Sequence, residues 1–185
     1  SDLDVDFQEK VCEGIPNRVV GEDPAIPDAK PSSSFADLLH KFRTLRSLLH
    51  VTREDWEDGY NLSMLEAMAC GMPVVSLANR TSPLTDGIDG YVSYDADVLR
   101  GRLRELLNDA DLAKTLGARG RETVAAKFPI RAFVESWRAA IEETAENTRR
   151  KRSLASVPEK TLGAEEPEAP KEPRKLPRLY VVLAS

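Results

Sequence analysis

The sequence has few cysteines and few histidines, with two residues of each kind among 185. Cys12 and Cys70 form no metal-ligand spacing with His40 and His50, so these residues do not indicate a metal site. Cys70 lies in an apolar helix pattern, where a free thiol behaves as a small hydrophobic side chain. This use of cysteine is typical of a protein in the reducing cytoplasm, and we expect that location.

The sequence also lacks an excess of basic residues, with 26 Lys and Arg against 31 Asp and Glu and a net charge of -5. No basic stripe is present to neutralise phosphates, which argues against binding to nucleic acid. The basic cluster at residues 149–152 follows an acidic helix end, and we interpret it as a solvated helix terminus.

Long hydrophobic runs are missing as well. No run approaches the ~20 apolar residues that a transmembrane helix needs, and the first residues do not form a signal peptide. The chain begins with Ser1 rather than Met. We therefore expect it to be a piece of a longer protein, with one domain plus tails.

Short apolar segments alternate with longer helical patterns over residues 1–147. The predicted strands are 17–21, 48–52, 74–77 and an edge strand near 90–92, and the predicted helices are 6–13, 35–46, 62–70, 96–107, 110–126 and 130–146. Such alternation predicts an α/β domain, a Rossmann-like doubly wound parallel sheet with helices on both faces. Trp137 belongs to an apolar stripe of the last helix, and we assign it to the core.

The composition changes at residue 148. Residues 148–177 are rich in Ser, Pro, Glu, Lys and Arg, and we expect a disordered linker there because little of it can be buried. Residues 178–185 end in an apolar, strand-like run. We expect an isolated strand, which either starts a truncated following domain or docks on an open edge of this sheet or of another chain.

Glu66 is the single charge in the apolar helix pattern of residues 62–70. Its neighbours three and four positions away include no Lys or Arg, so no cation can pair with it locally. Burying an unpaired carboxylate costs several kcal/mol. A bound diol such as a ribose would satisfy it, and so would the backbone or a distant arginine in a purely structural role.

The start of this helix has the features of an anion site. Asn61 is a good N-cap, and we expect the amides of Leu62, Ser63 and Met64 to remain free. Gly59 lies just upstream and allows a ligand to approach the backbone closely. A helix N-terminus of this kind suits a diphosphate, and in a parallel sheet it lies at the carboxyl ends of the strands.

Residues 58–75 resemble the signature of retaining glycosyltransferases with the two-domain GT-B fold. That signature has two acidic residues eight positions apart, a Gly-aromatic-Gly turn between them, and an Ala-Met-Ala-x-Gly-x-Pro-Val segment after them. The resemblance continues in the turn at 85–92 and in later helices, and it covers roughly residues 17–146. It implies the C-terminal, donor-binding half of a GT-B fold.

The resemblance also implies roles for individual residues. Glu66 would hold the ribose of a nucleotide sugar and Asp58 would contact the donor sugar. The amides of Leu62 and Ser63 would hold the diphosphate. Gly59, Tyr60 and Asn61 would border the sugar, and Trp56 could stack on a base or sugar face. Transfer with retention of configuration is implied, with no essential metal or other cofactor and with the acceptor held by a missing N-terminal domain.

This sequence departs from the family pattern at three places. Asp58 stands where Glu is usual, and Asn61 replaces the second Gly of the turn. The family's Arg and Lys for the diphosphate are not found upstream, and Arg53 and Arg80 are the alternative candidates. These departures keep a second hypothesis open, a non-catalytic nucleotide-sugar-binding or interaction module of a larger assembly.

Other motifs favour structural roles. Asp-x-Asp occurs at residues 4–6, 95–97 and 109–111. This motif can hold a divalent metal, but the second and third examples open predicted helices, where acidic residues favour the positive end of the dipole. His40 and His50 lie in a helix pattern and a strand pattern, and we interpret both as packing or surface residues.

Overall fold

The structure is a computed structural model that describes residues 4–22, 26, 28–52, 61–155 and 181–184, with only the backbone at 152–155 and 181–184. The helices are α1 Val5–Cys12, α2 Phe35–Thr44, α3 Leu62–Ala69, α4 Ala96–Asn108, α5 Ala110–Lys127 and α6 Ile130–Ala155. The strands are β1 Asn17–Val20, β2 Ser47–His50, β3 Val74–Leu77, β4 Tyr91–Ser93 and β5 Val181–Ala184. The predicted elements are therefore present. For the elements that precede α6, the ends differ from the predicted ones by a few residues at most.

The strands form one mixed sheet in the order β1-β5-β2-β3-β4. β2 pairs with β3, and β3 with β4, in parallel. β5 lies between β1 and β2 and is antiparallel to both. The run expected to be an isolated strand is thus an inner strand of this same sheet, in keeping with its uninterrupted apolar sequence.

Alternate residues of the inner strands point to opposite faces, and each face is covered by helices. Leu48 and Val74 join a buried cluster with α2 and α3. Leu49 and Val75 join a second cluster with α1, α4 and the start of α5. Because both faces of the sheet bury apolar side chains, the doubly wound α/β arrangement predicted from the sequence is confirmed.

A glycine contact holds α5 against the turn between α3 and β3. Gly71 ends α3 with a φ of 79°, a left-handed conformation that glycine adopts without strain. A Cβ atom on Gly117 of α5 would lie 2.0 Å from the Gly71 carbonyl oxygen and 3.3 Å from a Pro73 ring carbon. The helix can approach the turn this closely only because residue 117 has no side chain.

α6 is a separate unit from the sheet and its helices. It continues to Ala155, so residues 148–155, expected to be disordered, are helical. Their Arg, Lys, Leu and Ala residues are strong helix formers, and a high charge content does not oppose a helix. Trp137, assigned to a core from the sequence, is 57% exposed and forms part of an exposed apolar stripe. Within the described residues, no helix is long and apolar enough to cross a membrane.

The contact at Gly117 generates a stability prediction. Gly117→Ala should lower the free energy of unfolding by about 3 kcal/mol, because the new methyl group overlaps backbone atoms that cannot move aside freely. Gly101→Ala on α4 is the matched control. No atom lies within 4 Å of a Cβ at position 101, so that variant should be up to about 1 kcal/mol more stable than the parent. Urea unfolding followed by circular dichroism measures both changes, and equal stability of the two variants would contradict the close contact.

Candidate functional site

The start of α3 lies at the carboxyl edge of the parallel strands. β2 ends at His50, and the chain then leads to Asn61, the N-cap of α3. After α3 the chain enters β3, which is parallel to β2. The N-terminus of α3 is therefore at the edge of the sheet where α/β proteins bind ligands.

Asn61 caps α3 through its side chain. It is 5% exposed, and its Oδ1 accepts a hydrogen bond of 3.0 Å from the amide of Met64. The expectation that the Met64 amide is free is therefore wrong, since the cap itself binds it. The amides of Leu62 and Ser63 remain, and neither donates to a described residue. Two adjacent N–H groups at a helix N-terminus can bind an anionic oxygen.

Glu66 lies one turn further along α3 and is partly buried. Burial raises the pKa of its carboxyl group above the ordinary value. Among the residues that the structure describes, none donates a hydrogen bond or forms an ion pair with this carboxylate. The Glu66 carboxylate can thus accept hydrogen bonds from a ligand. It lies on the same helix as the amides of Leu62 and Ser63, which have no described partner.

His50 and Ser76 form a buried polar pair at the ends of neighbouring strands. The Ser76 hydroxyl donates to the Leu77 carbonyl over 2.8 Å. Its oxygen lies 3.2 Å from His50 Nδ1, within hydrogen-bond distance. Sequence reasoning treated His50 as a packing or surface residue. The available signal was that His50 is a polar side chain between Leu49 and Val51 in an apolar strand pattern.

One of the two basic candidates, Arg80, lies in a loop at the same edge. Arg80 follows β3, is exposed, and makes no ion pair within the described part of the chain. Its loop is ordered by Asn79, whose side chain accepts from the amide and the hydroxyl of Thr81. Arg53, Trp56, Asp58, Gly59 and Tyr60 lie outside the described residues.

The Asp-x-Asp motifs act as helix caps. Asp4 accepts from the amide of Phe7 over 3.0 Å. Asp95 accepts from two amides of the first turn of α4, and Asp109 from two of α5. One oxygen of each of these carboxylates accepts from the backbone, and capping is the role predicted from the sequence for the two motifs that open α4 and α5.

Asp89 is a buried carboxylate that sequence reasoning missed. It is 4% exposed and accepts 2.6 Å hydrogen bonds from the Thr85 amide and the Thr123 hydroxyl. These bonds fasten the turn before β4 to α5. The partner on α5 is 34 residues away, so no local pattern could reveal it. The role of Asp89 is structural.

Comparison with known proteins identifies a matching family and two relatives that are named as glycosyltransferases. A family model described as glycosyl transferase-like matches residues 6–139. A poly(ribitol-phosphate) alpha-N-acetylglucosaminyltransferase of Staphylococcus aureus is 28% identical over 85 residues, which cover 43% of this chain and 17% of that protein. An uncharacterized glycosyltransferase of Methanocaldococcus jannaschii is 30% identical over 131 residues, which cover 65% of this chain and 36% of that protein. The chain thus spans well under half the length of either relative.

Solved structures show the same fold at low identity. HepE of Anabaena in complex with UDP-glucose aligns with a TM-score of 0.52 at 16% identity, covering 63% of this chain and 33% of that chain. A TarM mutant of S. aureus, in complex with Fondaparinux, alpha-GlcNAc-glycerol and UDP, aligns with a TM-score of 0.54 at 18% identity. That alignment covers 74% of this chain and 32% of TarM. These likenesses concern the α/β fold of GT-B proteins.

The raised pKa of Glu66 predicts how stability depends on pH. The folded state keeps the proton on Glu66 to a higher pH than the unfolded state does. The contribution of this proton to the parent's stability is therefore lost as the pH rises through the raised pKa of Glu66. Glu66→Gln carries no charge at any pH. Relative to the parent, it should be more stable at about pH 7 and should lose this advantage near pH 4, below the usual glutamate pKa of ~4.3.

Chemical unfolding of both proteins at several pH values measures this difference. The gain should stay below about 1 kcal/mol, because water still reaches part of the carboxylate. Glu122→Gln, at an exposed position of α5, is the control and should differ from the parent by a constant amount. A constant difference for Glu66→Gln as well would rule out the effect of burial.

Proposed function

Because this chain belongs to the glycosyl transferase-like family, we propose that it is the donor-binding domain of a retaining GT-B glycosyltransferase of the cytoplasm. Its ligand would be a nucleotide sugar, and the N-terminal domain of the full-length enzyme would hold the acceptor. The observation that carries the proposal is the start of α3. Two amides and a carboxylate that have no partner among the described residues lie there, along one helix at the carboxyl edge of the parallel strands.

The amides of Leu62 and Ser63 would bind the diphosphate of the donor. They are the first-turn N–H groups that Asn61 does not cap. The helix dipole adds a partial positive charge at this end of α3, which stabilises an anion. Arg80, in the loop after β3 at the same edge, would approach the diphosphate, with Arg53 as a second candidate.

Glu66 would accept hydrogen bonds from the two hydroxyl groups of the ribose. A diol donates two hydrogen bonds, and a carboxylate has two oxygens to accept them. Hydrogen bonds to the ionised form favour that form, so ligand binding would offset the effect of burial on its pKa. This explains why a carboxylate stands without a cation in an otherwise apolar helix.

The remaining site residues follow from the family resemblance. Asp58 would contact the donor sugar, and Gly59, Tyr60 and Asn61 would border it. The chain's own groups would bind and orient the donor, and the reaction would need no essential metal. The fold relatives HepE and TarM were solved with UDP-glucose and UDP, which makes UDP the first nucleotide to test.

The first test is the contribution of Glu66 to nucleotide binding. Glu66→Ala should weaken UDP binding by ~1–3 kcal/mol, the usual effect of losing charge-assisted hydrogen bonds. Isothermal titration of the parent and the variant measures this, with affinity of the isolated chain expected near the millimolar level, about -4 kcal/mol. The same substitution should weaken the binding of uridine by a similar factor, because uridine keeps the ribose.

A matched control is Glu122→Ala, which removes an exposed carboxylate from α5 and should bind UDP like the parent. Equal affinity of Glu66→Ala and the parent would limit Glu66 to a structural role. Absence of binding for every nucleoside diphosphate and nucleotide sugar would reject the donor-binding proposal itself.

The second test is activity. In a two-domain enzyme the donor and acceptor meet between the domains, and such proximity contributes ~7–11 kcal/mol to lowering the barrier. We therefore expect the isolated chain to show no sugar transfer, and the full-length protein to transfer with retention. A transfer assay with the same donors and acceptors compares the two proteins. Transfer by the isolated chain that depends on Glu66 would overturn the half-enzyme proposal.

A further inference from the structure

A recess lies at the opposite edge of the sheet from the start of α3. Its walls are the end of α2 with the residues before β2, the turn before β3, and the first turns of α5. Its volume is about 430 Å³, which is within the range of small-molecule sites, ~300–1,000 Å³. We call it the amino-edge pocket, since β2 and β3 both begin there.

Three cationic side chains line the amino-edge pocket, namely Arg43, Arg46 and Lys114. They come from two segments, residues 43–46 and α5, and none of them forms an ion pair or hydrogen bond with any described residue. No Asp or Glu is among the lining residues. In a chain of net charge -5, three unpaired cations around one recess create a local positive field that attracts an anion.

The turn after α3 reduces the number of free carbonyl oxygens on its side of the pocket. A helix C-terminus normally presents free carbonyl oxygens, which repel negative charge. At the end of α3 two of these oxygens are used, because the Gly71 amide donates to the Met68 carbonyl over 2.9 Å and the Met72 amide to the Ala67 carbonyl over 3.0 Å. This pattern is that of a Schellman motif.

Most of the other lining side chains are apolar. Leu45 is partly exposed and offers carbon surface beside the cations, and the buried Phe42, Met72 and Pro73 also line the recess. Arg46 and Lys114 can bind phosphoryl oxygens through charge-assisted hydrogen bonds, while the apolar surface can contact an organic group. An inorganic ion would use only the first of these features.

We propose that the amino-edge pocket is a binding site for a small phosphorylated organic molecule. The proposal does not depend on the donor site at the other end of α3. The ligand's phosphoryl group lies between Arg43, Arg46 and Lys114, and its organic part lies against the apolar wall.

Cys70 provides a local reporter of this site. It is partly buried and lines the pocket. The other cysteine of the chain, Cys12, is buried, and burial raises the pKa of its thiol to about 11. Alkylation by iodoacetamide should thus modify Cys70 first, with Cys12 as the internal reference for opening of the fold. Mass spectrometry of the two peptides gives both rates.

Phenyl phosphate is the probe. Inorganic phosphate and phenol are the controls, since each contains only one of its two parts. Phenyl phosphate should slow alkylation of Cys70 at lower concentration than inorganic phosphate, and phenol should leave the rate unchanged. Arg46→Gln and Lys114→Gln should each raise the phenyl phosphate concentration needed for half-protection about tenfold, since each removes a charge-assisted contact. Arg121→Gln, at an exposed position seven residues further along α5 and outside the pocket, should behave like the parent.

The outcomes separate binding from other effects. Lys114 is exposed, so its variant keeps the fold, and an unchanged Cys12 rate verifies this. Protection of Cys70 that is lost in Lys114→Gln and kept in Arg121→Gln supports the site. Absence of protection by phenyl phosphate, equal protection in all variants, or equal slowing of Cys12 and Cys70 would each overturn the proposal.

Discussion

The parallel pairing of β2 with β3 is the constraint on which the rest of the structure depends. Two parallel neighbours need a crossover that carries the chain back to the starting edge, and α3 is that crossover. Its N-terminus is therefore held at the carboxyl edge of the sheet and its C-terminus at the amino edge. Both proposed sites follow from this one connection, because each is built around one end of the same helix.

The part of the fold set by local pattern could be predicted from the sequence. The strand at 74–77 and the helix from residue 62 were predicted almost to the residue, because caps, glycines and apolar runs mark their ends. The position of β5 could not be predicted, since nothing in an apolar run states which strands it will join. The exposure of Trp137 was missed for a related reason: a helical stripe indicates an apolar face without indicating the surface that covers it.

The candidate site was predictable where one helix carries it. Asn61 and Glu66 are identified by their places in a single periodic pattern, and the structure keeps them on α3. Features made by distant segments were not predictable. His50 meets Ser76 across two strands, 26 residues apart, and the cations of the amino-edge pocket come from α2, the approach to β2, and α5. Sequence spacing alone cannot reveal that such residues meet.

The position of β5 in the sheet affects how the chain folds during its synthesis on the ribosome. Residues 181–184 pair with residues 17–20 on one side and with residues 47–49 on the other. Within this sheet, β1 and β2 are therefore joined only after β5, the fifth strand along the chain, has been made. Contacts so distant in sequence form slowly, and meanwhile β1 and β2 present open edges on which another nascent chain can add a strand. Folding of this sheet thus includes an interval of aggregation risk, which ends when β5 is inserted between β1 and β2.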